Sequence, residues 1–204
     1  MSNAFITKAI ITLSAVFALQ STPAFGSDDS EWTIDNDASH LHFVSVKNNQ
    51  IGEVSTFETL KGHLSGNGQF ALEILLDSVN TNIEIRDQRM KEHLFDSKKN
   101  IAFIVNGSFD LSKIDDQKTG TSSQHTLEAT IQLGNETVDI NAPVVIQTLA
   151  DDQLRVTSVN PVMITTSSLK LDKGVVKLKS LAGLRSINRV VPVTFDLYLK
   201  PKSK

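Results

Sequence analysis

Five histidines, one dense run of charges and a scatter of serines are the side chains here that could do chemistry. His40-Leu41-His42 sets two imidazoles on one face of an extended strand, because residues i and i+2 share a face. A catalytic zinc commonly needs three protein ligands, and no third His or carboxylate lies at a matching offset. His63, His93 and His125 fall at an expected turn, helix and strand start, so no metal site is expected. Hydrolase chemistry fares no better. There is no G-x-S-x-G elbow, and with no cysteine in the chain a thiol nucleophile is impossible. Gly66-Asn67-Gly68 lacks a third glycine and opens no helix, so it does not cradle phosphate. Carboxylates are frequent, but no spacing singles out a pair. No catalytic residue and no cofactor are therefore expected.

The run Arg86 to Asp96 remains. Met90 and Leu94 are four apart with Ile85 and Phe95 nearby, while Arg86, Asp87, Lys91 and Glu92 hold the other side, as in a short amphipathic helix. Its charges have two uses: ion pairs that pin the helix over one end of a barrel, or contact with a ligand's polar head. An enzyme would instead need Arg86, Asp87 and His93 turned into an interior.

The elements that must position this helix are strands. Phe70, Leu72, Ile74 and Leu76 alternate with positions that include Glu73 and Asp77. Ile101-Phe103-Val105, Phe109-Leu111 and Leu127-Ala129-Ile131-Leu133 repeat the period of two, and Val191, Val193, Phe195, Leu197 and Leu199 show it most clearly. Such alternation marks half-buried strands. Turn residues separate them at Asn48-Asn49, Lys61-Gly62, Gly66 to Gly68, Asp115 to Gly120, Gly134-Asn135 and Asp151-Asp152. The pattern predicts an all-β barrel or sandwich of antiparallel strands. Lys173 to Arg185 allows a second short helix. Alternation alone does not distinguish a lined lumen from a filled core. A solid structural or interaction barrel stays open, as does, less favoured, a lipid-modifying enzyme.

The start of the chain has another logic. Lys8 precedes the apolar stretch Ala9 to Leu19, and Ala24-Phe25-Gly26 offers a small-x-small cleavage site. These are the parts of a secretory signal, and the run is short of the ~20 residues of a membrane span. The expected organisation is a signal peptide at 1–26 and one β-barrel domain at 27–204, exported to the periplasm. Without cysteine there is no residue for a lipid anchor, so no stable membrane anchor is expected, and stability must come from a core instead of disulfides. The formal charge of −3 argues against a nucleic-acid partner, which needs clustered Lys and Arg. Lys170 to Lys179 carries four lysines, read as a solvated face or a weak attraction to anionic membranes. Nothing sets the oligomeric state; a homodimer is one option.

Several segments resemble the YceI-like family. Ile34 to Phe43 is similar to its opening strand signature, and Ser78-Val79-Asn80-Thr81, Arg86-Asp87 and His93-Leu94-Phe95-Asp96 resemble its central motif. Ile101-Ala102-Phe103 then stands where the family has its next strand, and the likeness runs from Trp32 to Leu199. The family's late Arg-Ser followed by Phe-Gly is not matched; Ser167 to Ser186 stands in its place. The resemblance implies an antiparallel, lipocalin-like β-barrel with one or two short helices. It also implies a lumen that holds a polyisoprenoid lipid or quinone-like molecule, with no catalytic residues. On that basis the expected ligand-binding residues are Phe43, Phe70, Leu72, Ile74, Met90, Leu94, Phe103, Phe109, Phe195 and Leu197.

Overall fold

The computed structural model describes residues 30–202 except 112, 113 and 115–117. The expected signal peptide, Met1 to Gly26, lies outside the described residues, as does part of the expected Asp115 to Gly120 turn.

Twelve strand segments form one antiparallel sheet that closes on itself. Four barrel strands are each bent into two segments: β1 (Ser30–Ile34) with β2 (His40–Lys47), β3 (Ile51–Phe57) with β4 (Leu60–Ser65), β5 (Gln69–Leu75) with β6 (Val79–Asn80), and β10 (Leu154–Ser158) with β11 (Val162–Thr165). The other four run unbroken: β7 (Ala102–Ser108), β8 (Ser122–Leu133), β9 (Glu136–Thr148) and β12 (Val190–Pro201). Each barrel strand pairs with the next in sequence, and β12 pairs back onto β1 and β2. The result is an eight-stranded up-and-down barrel; toward one end, among the described residues, β11 pairs only with β12, and β6 only with β3.

Three neighbouring strands break side by side, at residues 35–39, 58–59 and 76–78. Backbone groups freed there need other partners. Side chains supply them: Asn36 Oδ1 accepts from Leu60 N (2.6 Å), Ser78 Oγ from Thr59 N (3.0 Å) and Ser39 Oγ from Tyr198 N (2.9 Å). The crease lets the wall bend without losing closure.

Alternation puts one face of each strand inward. Phe70, Leu72 and Ile74 are buried in β5, Leu127, Ala129 and Leu133 in β8, and Leu197 and Leu199 in β12. Some expectations fail. Ile101 precedes β7 and is 74% exposed, so it does not extend that strand's inner face. Lys61-Gly62 is no turn: it lies within β4 with His63, and Gly62 opposes Leu72 of β5.

Two long connections cap one end of the barrel. Between β6 and β7 lies α1 (Glu84–Arg89), which widens into a π-helical turn, Met90–Phe95. Between β11 and β12 lies α2 (Asp172–Leu181), shorter than the Lys173 to Arg185 expectation at its far end. Up-and-down order sets both beside the hairpin of residues 48–50. There Asn48 N donates to Ser186 O (3.0 Å), and Asn188 N donates to Val46 O (2.9 Å). At the opposite end Phe109, Leu111 and Ile114 are buried with Phe70 and Leu64.

Candidate functional site

A cavity of about 170 Å³ lies inside the barrel. One water molecule needs on the order of 10–15 Å³, so this is no packing defect. The side chains around it come from most of the barrel strands and from the cap. β12 contributes five consecutive inward positions, Val191, Val193, Phe195, Leu197 and Leu199, a direct product of its period-two sequence.

All ten residues singled out from the sequence line this cavity: Phe43, Phe70, Leu72, Ile74, Met90, Leu94, Phe103, Phe109, Phe195 and Leu197. Sequence reasoning missed others. Leu41 and Val105 share a strand face with Phe43 and Phe103 and were reachable by the same rule. Phe57 was not, because Glu53 and Ser55 share its face of β3 and spoil the apolar alternation. Thr166, Leu169 and Leu171 come from an irregular turn after β11, where no period operates.

An aromatic cluster stands at the capped end. The Phe57 ring lies 5.3 Å from Phe43, 5.8 Å from Phe95 and 6.0 Å from Phe103, and Phe95 meets Phe103 edge-on at 5.7 Å. Edge-to-face contacts of this kind are favourable beyond the area they bury. Phe95 reaches them because of the π turn. An i→i+5 repeat brings Met90 and Phe95 to one face, and both are buried with Leu94 beside them. Ile85, grouped with them from the sequence, faces outward at 53% exposure.

The lining is apolar apart from Thr166, whose hydroxyl donates to Asp172 Oδ1 (2.6 Å). Among the described residues no other polar side chain lines the wall. The charges of α1 are used outside the cavity lining. Arg86 donates to Glu53, through Nε to Thr81 Oγ (2.8 Å) and through a terminal nitrogen to the Thr81 carbonyl (2.6 Å). Asp87 accepts from Thr81 N (2.9 Å) and from the Thr81 hydroxyl. Hydrogen bonding from Lys47, with the charge of Arg86, holds the Glu53 carboxyl below its ordinary range against the cost of burial. Through Glu53, Arg86 pins the helix over the barrel end.

The other polar constellation is on the outer wall. His40 and His42 stack with centroids 6.2 Å apart, both exposed. Among the described residues no group of three or more His, Asp or Glu is placed to hold a metal. Arg155 clasps Asp196 with two hydrogen bonds (2.8 and 2.6 Å), and Thr157 adds a third (3.1 Å). That clasp lowers the Asp196 pKa and raises that of Arg155; it joins β10 to β12.

The model of the YceI-like domain matches residues 32–199. A polyisoprenoid binding domain from Saccharophagus degradans, described as implicated in plant cell wall breakdown, superposes with a TM-score of 0.82 at 30% identity, covering 85% of this chain and 99% of that one. Burkholderia cenocepacia BcnA superposes at 0.63 with 12% identity, over 81% and 98% of the two chains. The Campylobacter jejuni YCEI protein gives 0.52 with 14% identity, over 78% and 91%. The last two show the shared fold alone. Among curated protein sequences none matches.

Proposed function

Since the chain belongs to the YceI-like domain family, we propose that it is a carrier that holds one long apolar molecule, a polyisoprenoid lipid or quinone, inside its barrel. The observation that carries the reading is the interior cavity of about 170 Å³, whose wall among the described residues is apolar apart from Thr166. Such a space repels water and polar substrates and accepts hydrocarbon. Burying roughly 400 Å² of a ligand's apolar surface is worth on the order of 10 kcal/mol before the costs of association. The S. degradans relative, described as polyisoprenoid binding, supports the ligand class. A carrier of this kind works in the periplasm, and the signal-like residues Met1 to Gly26 would send it there. The mature form then begins at Ser27, which N-terminal sequencing of the exported protein reads directly.

The test is reloading. Delipidated protein titrated with a polyprenol should gain stability, by about 2.7 kcal/mol at a hundredfold excess over Kd. Leu127→Trp, which fills the lumen from β8, should fold and show no such gain. An equal gain in Leu127→Trp, or none in the unaltered chain, contradicts the reading.

A further inference from the structure

The two connections that cap the barrel differ in charge from the rest of the chain. Residues 81–101 and 166–189 together carry eleven Lys or Arg against five Asp or Glu, a surplus of six in a chain whose formal charge is −3. The remainder is therefore strongly acidic, and the positive charge is concentrated at one end. Apolar side chains stand exposed at that same end: Ile83 and Ile85 where α1 begins, and Val176 and Leu181 on α2.

On α2 the two features coincide. Lys173, Val176, Lys177, Ser180 and Leu181 are all exposed and follow the i, i+3, i+4, i+7, i+8 spacing of one helix face. The opposite face, with Gly174 and Val175, is buried against the π turn. Arg89 donates to the Leu181 carbonyl (3.4 Å), so the ends of the two helices meet. A face mixing lysines with aliphatic side chains suits a surface that is anionic outside and hydrocarbon beneath.

We propose that the helix-capped end docks on the surface of an anionic phospholipid bilayer. The inference deepens the carrier reading and takes its purpose from it: a ligand dissolved in a membrane needs the capped end of the lumen brought to that membrane. Met90, Leu94 and Phe95 line the lumen from the side that would face the lipid. Docking is electrostatic first and hydrophobic second, so salt should release the protein.

Co-sedimentation of the full chain with vesicles tests this. Phosphatidylcholine vesicles containing phosphatidylglycerol should bind the protein at low salt, and phosphatidylcholine alone should not. Each lysine is worth roughly fivefold in partitioning, so the double reversal Lys173→Glu with Lys177→Glu should weaken binding by well over tenfold. Ile85→Ser should weaken it with no change of charge, and Lys118→Glu, toward the other end of the barrel, should leave it unchanged. Equal binding to neutral and anionic vesicles, wild-type binding by the double reversal, or no vesicle binding because the face serves an acidic protein would each overturn the proposal. Native mass spectrometry of the same samples reports lumen occupancy separately, so failure to dock is distinguishable from failure to carry.

Discussion

Gly174 of α2 and Leu94 of the π turn meet backbone to backbone: a β-carbon at Gly174 would stand 2.7 Å from Leu94 Cα and 2.7 Å from the His93 carbonyl oxygen. No real β-carbon sits so close to main-chain atoms. The glycine is therefore what lets α2 lie flat on the segment that caps the lumen.

Gly174→Ala tests that contact. In an isolated helix the change would help by about 1 kcal/mol. Here the added methyl must push α2 off the cap, and overpacking of this kind costs typically 1–3 kcal/mol. A lower denaturation midpoint with faster hydrogen exchange at residues 90–95 is the expected outcome; a stabilised protein would show the two segments are loosely packed.

The Glu53 clasp makes a related prediction about the other helix. Lys47 Nζ lies 2.7 Å from Glu53, which also receives Arg86, so one carboxylate joins the 48–50 hairpin to α1. Glu53→Gln should loosen α1 by about 1 kcal/mol after allowance for solvent screening. Hydrogen exchange should rise across residues 84–89 and stay unchanged in β8 and β9. Uniform exchange changes would contradict a local clasp.

Acid titration should read the Arg155–Asp196 pair. The Asp196 carboxyl is held below its ordinary value, first by the hydrogen bonds from Arg155. Its stabilising contribution is present above the unfolded-state pKa of about 3.9 and is lost as pH falls through the lower folded value. Asp196→Asn should therefore cost up to about 1 kcal/mol at neutral pH, with the deficit against wild type shrinking below about pH 4. A deficit that persists unchanged into strong acid would mean the carboxylate is not the source.

A charge placed in the lumen should be poorly tolerated by the ligand. Phe103 lies against Phe57 and Phe95 in the cavity wall. Phe103→Asp brings a carboxylate to an apolar ligand that cannot solvate it. The folded variant should lose retained ligand while Phe103→Leu keeps it. Retention in Phe103→Asp, with barrel circular dichroism intact, would remove that side chain from the binding surface.

Much of the wall was legible because a strand's period is short and strict. β12 shows its inner face in five alternate residues, and β5 does so in Phe70, Leu72 and Ile74. The same rule hid Phe57, since Glu53 and Ser55 occupy its face of β3, and placed Ile101 in a strand it only precedes. Lys61-Gly62 looked like a turn because glycine commonly marks one. In β4 it answers a close approach instead, since a β-carbon there would clash with the Ala71 carbonyl oxygen. The π turn was beyond period-based reading. Met90 and Leu94 suit an ordinary helix equally well, and the face shared by Met90 and Phe95 exists only after the extra residue per turn. The role of Arg86 depended on Glu53, 33 positions earlier, which no local pattern connects to it.

The central claim is that the lumen holds a long apolar molecule. Native mass spectrometry of the protein purified, without delipidation, from a host containing polyisoprenoid lipids and quinones tests it most directly. The account predicts a complex heavier than the polypeptide by the mass of one such molecule, released intact on unfolding. Only the bare polypeptide mass, found after purification from several such hosts, would contradict it.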